Sequence, residues 1–94
     1  MEVLDVDVLK TEGGLRVYFM IDSNYKIVVK SFLGHSHAKD NLEINDEILE
    51  INNTSCKNIR DLNELFKLIE SSDDPIIKMK ISRNTKNDDE NSVT

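Results

Sequence analysis

Short segments in which every second residue is apolar recur along this chain. The clearest alternating sets are Leu4, Val6 and Val8; Leu15, Val17, Phe19 and Ile21; and Ile77, Met79 and Ile81. A period of two indicates a half-buried β-strand, because successive side chains of a strand point to opposite faces. Together with apolar segments at 26–32 and 47–51, these sets predict five strands of ordinary length.

Two helices are predicted between the strands. Ser36 can cap a one-turn helix that extends to Lys39. Asp61 and Glu64 have the spacing of a capping box, which predicts a longer helix from Leu62 to about Glu70. The order of elements is then three strands, a short helix, one strand, a long helix and one strand. It predicts a mainly β fold with two helices, a partly open antiparallel β-barrel of five to six strands.

Size and charge limit the classes of function. A chain of 94 residues has room for one core, so we expect one domain over 1–83 and a disordered polar tail over 84–94. The net charge of −6 argues against nucleic acid and anionic membranes as main partners, because both require a basic surface. No apolar run approaches the roughly 20 residues of a membrane span, so we expect no direct membrane insertion.

The expected compartment is the cytoplasm. The start of the chain is not typical of a signal peptide. Cys56 is the only cysteine and has no partner for an internal disulfide, which favours a reducing environment. Any association with a membrane is expected to occur through a partner protein.

The segment from Phe32 to Asn52 carries the most specific motif. It contains Ser36-His37-Ala38, then Leu42-Glu43-Ile44, an Asn45-Asp46 turn and the strand 47–52. This segment resembles the central signature of PDZ domains, a Ser-Pro-Ala helix start followed by Leu-x-x-Gly-Asp-x-Ile-Leu-x-Val-Asn. His37 replaces proline, while Asn45 and Asn53 replace glycine. Asparagine is the residue other than glycine that best tolerates left-handed turns.

The resemblance implies a peptide-binding module and not an enzyme, with no cofactor and no metal. In PDZ domains a Gly-Leu-Gly-Phe loop directs N–H groups at the terminal carboxylate of a peptide, which joins the sheet as an extra strand. Here Gly14-Leu15-Arg16-Val17 corresponds to that loop, with Arg16 where the family usually has glycine. Lys10 corresponds to a basic residue that often supports the carboxylate. The implied partners are C-terminal peptides of other proteins; the oligomeric state stays open.

The glycine pair Gly13-Gly14 has two interpretations. Taken alone, the pair favours a simple hairpin turn. Its position directly before the Leu15, Val17 and Phe19 alternation favours a loop whose amides converge on one anion, because glycine adopts positive φ without a Cβ clash.

The register of the long helix determines which side chains contact a ligand. With Asp61 at the N-cap, Leu62, Phe66 and Ile69 line the groove, and Leu65 and Leu68 enter the core. A slip of one residue would place Asp61, Leu65 and Leu68 on the groove instead. We favour the first register, which implies apolar ligand residues at the last and third-from-last positions. The predicted peptide-binding residues are Lys10, Gly14, Leu15, Arg16, Val17, Tyr18, Phe19, Leu62, Phe66 and Ile69.

The histidines and the cysteine raise the alternative of a metal or catalytic site. His35, His37 and Cys56 could be combined with Asp46 or Asp61 into a metal or nucleophile site, but the spacing matches no known zinc pattern. We expect solvated loop histidines and a Cys56 packed in the core. The alternative within the family is a regulatory PDZ domain excised from a multidomain serine protease. A structural alternative is a domain that dimerises or whose groove is closed by its own tail; we expect the tail to stay free.

Overall fold

The strands and helices form close to where the sequence patterns place them. The computed structural model describes residues 2–11, 14–34 and 36–84. Within them the elements are β1 (Glu2–Leu9), β2 (Val17–Ile21), β3 (Ile27–Phe32), a 3₁₀ turn (His37–Asp40), β4 (Glu47–Ile51), β5 (Thr54–Ser55), α1 (Leu62–Glu70) and β6 (Ile76–Arg83). The predicted order of elements is confirmed, with the two-residue strand β5 added.

The order of strands within the sheet leaves β2 at one end. All strand pairs are antiparallel, the order is β1-β6-β4-β3-β2, and β5 pairs with β4 outside this path. The sheet does not close, which confirms the predicted partly open antiparallel barrel. Because β3 is the one strand paired with β2 among the described residues, the other edge of β2 is available to a further strand.

Two element boundaries differ from the sequence prediction. Strand β2 begins at Val17 and not at Leu15, because Leu15 lies in a turn and Arg16 has a left-handed φ of 57°. The segment 52–57, for which the sequence predicts no strand or helix, contains strand β5. Asn52 and Asn53 have φ angles of 49° and 68°, and this tight turn returns the chain along β4.

Left-handed residues occur at both positions where asparagine replaces the family's glycine. Asn45 has a φ of 79° and Asn53 a φ of 68°, so the expectation that asparagine serves these turns is confirmed. Tyr25 also has a positive φ, 62°, which no sequence pattern indicated.

The alternating apolar residues form the core, as predicted. Its main members are Val8, Val17, Phe19, Ile27, Val29, Ile48, Ile51, Leu65, Ile69, Ile77, Met79 and Ile81. Cys56 is buried among them as a free thiol. Burial, and secondarily the negative charge of Glu50, raises the pKa of the Cys56 thiol to about 11. The thiol therefore stays protonated near neutral pH and is a weak nucleophile.

A buried ion pair joins the turn before β4 to the end of β6. Asp46 is 1% exposed, and Arg83 donates to both of its carboxylate oxygens, from Nε at 2.9 Å and Nη2 at 2.8 Å. The same carboxylate accepts the backbone N–H of Glu43 at 2.7 Å, and Arg83 also donates to the carbonyl of Asn41. Hydrogen bonding to Asp46 raises the pKa of the Arg83 guanidinium further. The sequence patterns gave no sign of this pair.

Part of the sequence prediction concerns residues that the structure does not describe. The expected disordered tail lies outside the described residues, except for Asn84. The expectation that this tail stays free of the groove likewise remains a prediction. In the described ranges, no helix is both long enough and apolar enough to cross a membrane.

Replacing Arg83 tests how much the buried pair contributes. Arg83→Met leaves the Asp46 carboxylate buried without its cation, so we expect the free energy of unfolding to fall by about 3–5 kcal/mol in urea denaturation followed by circular dichroism. Glu43→Gln is the matched control, because Glu43 is exposed and lies 3.5 Å from Arg83. Its cost should stay below about 1 kcal/mol. Equal losses for the two variants would contradict the central role of Asp46.

Candidate functional site

The candidate site is a groove between the outer edge of β2 and helix α1. The two elements meet at an aromatic pair: the ring centroids of Phe19 on β2 and Phe66 on α1 are 6.4 Å apart, and the ring planes are inclined by 56°. Phe19 is buried, whereas Phe66 is 39% exposed. The helix therefore lies beside the strand with one aromatic side chain facing the open edge.

The capping residue fixes the register of α1. Asp61 has an extended backbone (φ −146°, ψ 163°) and accepts the N–H of Glu64 at 3.1 Å, so Leu62 is the first helical residue. This agrees with the favoured register. Leu65 enters the core completely, as predicted, but Leu68 is only partly buried. Ile69, assigned to the groove, is also buried because it forms the floor of that groove and not its rim.

A first cavity, of about 250 Å³, lies between the loop before β2, strand β2 and the C-terminal half of α1. Its lining residues are Lys10, Gly14, Leu15, Arg16, Val17, Phe19, Leu33, Phe66, Ile69 and Glu70. Eight of the ten predicted peptide-binding residues are in this set. Its floor is apolar, and three charged residues, Lys10, Arg16 and Glu70, are among those that line it.

A second cavity, of about 580 Å³, continues the groove toward the start of α1. It is lined by Tyr18, Phe19, Met20, Ile21, Lys30, Asp61 and Leu62. Phe19 belongs to both cavities, so they are adjacent sections of one groove. The remaining two predicted residues, Tyr18 and Leu62, lie here, and the structure thus brings all ten together along β2 and α1.

The loop before β2 lines the first cavity and carries amides that are unpaired among the described residues. Within the described residues, the N–H groups of Leu15 and Arg16 donate to no protein acceptor. The carbonyl of Leu15 accepts the Ser36 hydroxyl at 2.7 Å, and the carbonyl of Arg16 accepts the N–H of Leu33 at 2.8 Å. The C=O and the following N–H of a trans peptide point in opposite directions. The N–H groups of Arg16 and Val17 therefore face away from Ser36 and from β3.

The left-handed conformation of Arg16 explains why the family usually has glycine there. Its φ of 57° follows a φ of 84° at Gly14, and such positive-φ residues turn successive N–H groups toward one point. The Arg16 guanidinium donates from Nε to the carbonyl of Leu33 at 3.4 Å. Arginine in this conformation is disfavoured relative to glycine. Its two contacts with Leu33 help hold the loop in place.

Lys10 lines the first cavity and also contacts the end of α1. Its ammonium donates to the carbonyl of Ser72 at 2.6 Å and to that of Ile69 at 3.4 Å, at the C-terminal end of α1. Cations stabilise this end of a helix because its last carbonyls are unpaired and partly negative. Lys10 thus fastens the helix beside the first cavity, while its support of a bound carboxylate remains a prediction.

The residues considered for a metal or nucleophile site do not form one in the described part of the chain. His35 lies outside it, and His37 is exposed. No group of three or more potential metal ligands occurs among the described residues. The Asp46 carboxylate is bound to Arg83, Asp61 caps α1, and the Cys56 thiol is buried and protonated.

Several residues that line the groove are not among those predicted from the sequence. Met20, Lys30, Leu33 and Glu70 line the cavities but were not predicted. Glu70 lies four residues after Phe66, on the same side of the helix, so helical periodicity could have suggested it. Met20 lies on the side of β2 opposite Val17 and Phe19, so strand periodicity does not suggest it. Nothing in the sequence places Lys30 or Leu33 there, because both come from β3 or its end and reach the groove through strand pairing.

Comparisons with known proteins agree with this geometry. The model of the PDZ domain family matches residues 7–82. The fold is similar to the crystal structure of Dlg1 PDZ2 from the choanoflagellate Monosiga brevicollis, with a TM-score of 0.73 and 17% sequence identity, covering 88% of this chain and 100% of that chain. At this identity the likeness concerns the fold alone. Among curated proteins, none matches this chain.

The contact of Lys10 with α1 can be tested without a ligand. Lys10→Met removes the charged donor from two helix-end carbonyls, so we expect the free energy of unfolding to fall by about 1–2 kcal/mol in urea denaturation. Lys67→Met is the control, because Lys67 is exposed on the same helix; its effect should stay within about 0.5 kcal/mol. An equal effect of the two substitutions would show that the Lys10 hydrogen bonds add no stability.

Proposed function

This chain belongs to the PDZ domain family, and we propose that it binds the C-terminal peptide of a partner protein between strand β2 and helix α1. PDZ domains are protein-interaction modules, generally without catalytic activity, whose usual ligands are C-terminal peptides. In the proposed complex the peptide lies antiparallel to β2, over residues 15–21, and packs against residues 62–70 of the helix. Its backbone extends the sheet by one strand.

The observation that carries this proposal is the free outer edge of β2 beside an apolar groove. An edge strand presents unpaired N–H and C=O groups to any added strand. Helix α1 lies beside that strand and contacts it through Phe66 and Phe19. An extended peptide would lie between the helix and the edge of the strand. Main-chain hydrogen bonds to β2 would hold the peptide, and side-chain pockets would select its sequence.

The loop before β2 supports recognition of a free carboxylate. The amides of Leu15, Arg16 and Val17 lie at the rim of the first cavity, and those of Arg16 and Val17 face away from the sheet. Hydrogen bonds from N–H groups to an ionised carboxylate are about twice as strong as bonds between neutral groups. The positive charge of Arg16 adds a favourable field at the same rim.

The two cavities support a preference for apolar residues at alternate ligand positions. In an extended peptide, alternate side chains point the same way. The last side chain would enter the first cavity against Leu15, Val17, Phe19 and Ile69. The third from the end would enter the second cavity, close to Leu62 and beside Phe66. A histidine that could bind a ligand hydroxyl is absent from the start of this helix.

The proposed interaction is reversible and occurs in the cytoplasm. A short flexible peptide loses conformational freedom on binding, so the expected dissociation constant is on the order of micromolar. This corresponds to a binding free energy of about −8 kcal/mol. Cys56 is the one cysteine of the chain and is buried, which is compatible with a reducing compartment. Such a module would act as an adaptor or scaffold that brings its partner to other proteins.

Removing the charge of the peptide's end tests carboxylate recognition. A peptide selected from a random C-terminal library is compared, as free acid and as amide, by fluorescence anisotropy. We expect the amide to bind more than tenfold more weakly, because charge-assisted hydrogen bonds worth about 1.5–3 kcal/mol are lost. Equal affinity of acid and amide would exclude end recognition and favour binding of internal sequences.

Substitutions on α1 separate groove residues from core residues. Leu62→Ala should weaken binding of peptides with an apolar third-from-last residue several-fold, while changing stability little, because Leu62 is only partly buried. Leu65→Ala should instead cost about 2–5 kcal/mol of stability, because Leu65 is completely buried. Urea denaturation and peptide titration measure the two effects. If Leu65 or Asp61 substitutions altered ligand preference and Leu62→Ala did not, the assignment of groove positions would be wrong.

A further inference from the structure

The sheet has a second open edge, on strand β1, at the end of the strand order opposite to β2. Among the described residues, β1 pairs with β6 alone. An edge strand presents unpaired N–H and C=O groups to any added strand. The outer side of β1 is therefore a second place at which an extended segment can join the sheet.

Hydrogen bonds show which backbone groups of β1 face this edge. Lys10, which follows β1, donates its N–H to the residue that precedes β6, whereas the carbonyl of Asp7 accepts the side chain of Asn41 on the other side. In an antiparallel pair the N–H and C=O of one residue point to the same side, and the side alternates along the strand. The N–H and C=O groups of Val3 and Asp5 and the N–H of Asp7 therefore face the open edge.

The side chains of β1 alternate between the two faces of the sheet. Asp5 and Asp7 are exposed, and neither carboxylate takes part in an ion pair among the described residues. On the core side, Val8 is completely buried, whereas Leu4 and Val6 are only partly buried. A strand added to the edge would cover more of Leu4 and Val6 and would bring its other face beside the two carboxylates.

Strand β6 shows which residue pattern fits β1. In the register of the two strands, Lys80 lies opposite Asp5, and Lys78 lies opposite Asp7. Between the lysines, the buried Met79 lies opposite an apolar residue of β1. Cross-strand pairs of opposite charge and of apolar residues both stabilise antiparallel strands. The open edge presents the same alternation of acidic and apolar residues to no strand among the described residues.

We propose that the open edge of β1 is a second interaction surface, which binds an extended segment of a partner protein in which Lys or Arg alternates with apolar residues. The main chain of this segment pairs with Val3 and Asp5, and its apolar side chains cover Leu4 and Val6. The net charge of −6 attracts a basic segment at long range. Strand β2 contains no acidic residue, so the segment distinguishes the two edges of the sheet. This surface is separate from the groove and requires no free C-terminus.

Two peptides of equal composition test the proposal. Both are acetylated and amidated, so neither offers the free carboxylate that the groove is proposed to bind. Lysine and valine alternate in the first peptide, and the lysines are grouped at one end of the second. We expect the alternating peptide to shift the amide resonances of β1 in NMR spectra of the labelled domain, most of all those of Val3, Asp5 and Asp7. The grouped peptide should bind several-fold more weakly, because it cannot place lysines and valines on opposite faces.

Three results would overturn the inference at this stage. The alternating peptide fails to bind, the grouped peptide binds equally well, or the shifts occur at β2 in place of β1. A free-acid ligand of the groove should keep its affinity when the alternating peptide is present. Competition between the two would place the basic peptide in the groove and would also overturn the inference, while leaving end recognition intact.

Neutralising the two carboxylates tests the charge contacts. Asp5→Asn combined with Asp7→Asn should weaken binding of the alternating peptide about tenfold, within the range for two cross-strand ion pairs. Glu64→Gln combined with Asp73→Asn is the matched control, because it removes the same charge from exposed positions outside the sheet. Its effect should stay within about twofold at physiological salt, where distant charges are screened. Equal effects of the two double variants would show that the attraction is general and would overturn the local contact.

A proline on the edge tests the main-chain pairing. Val3→Pro removes an N–H that faces the open edge and keeps both carboxylates, and proline is tolerated on an edge strand where the N–H faces solvent. We expect several-fold weaker binding of the alternating peptide, with the fold checked by urea denaturation. Val3→Thr keeps the N–H and should bind like the wild type. Unchanged binding by Val3→Pro would overturn strand addition at β1, and if that variant did not fold, the Asp5 and Asp7 variants would still decide the proposal.

Discussion

The buried pair of Asp46 and Arg83 is the contact on which the arrangement of the sheet depends. Asp46 ends the turn between β3 and β4, and Arg83 ends β6, so their two hydrogen bonds join three neighbouring strands at one end of the sheet. A buried charge without its partner is strongly destabilising, because neither water nor another cation replaces the lost contact. The position of β3 in turn determines where β2, the edge strand, lies.

Several contacts hold helix α1 and the loop before β2 in place beside that edge strand. The Phe19–Phe66 pair places the middle of α1 against β2, and Lys10 holds its C-terminal end beside the loop before β2. The loop is fixed separately, because Ser36 and Leu33 bind the carbonyls of Leu15 and Arg16. These contacts turn the N–H groups of Arg16 and Val17 away from Ser36 and from β3. In the proposed complex, a groove held by these contacts would reduce the ordering cost of binding a peptide.

The two ends of the groove have different chemistry. The first cavity combines an apolar floor with loop amides that have no partner among the described residues. The second is larger and has Leu62 on the helix side and Lys30 on the strand side. In the proposed complex, main-chain pairing along β2 would be independent of the ligand sequence, so selectivity would come from these side chains and from the terminal carboxylate.

The sequence by itself determined where the strands, the helix and the turns lie, because the patterns that predict them involve residues close together in the chain. Period-two alternation located the strands, the Asp61–Glu64 spacing located the start of α1, and asparagine at Asn45 and Asn53 indicated the left-handed turns. Together with the family resemblance, these patterns named ten residues that the fold brings to one groove. Only the tertiary structure decided which groups the charged side chains contact. Arg83 pairs with Asp46, Lys10 binds the end of α1, and Lys30 reaches the groove from β3 at the shift in its pairing with β2. These contacts join residues that are distant in the chain. They depend on strand register, which no local pattern encodes.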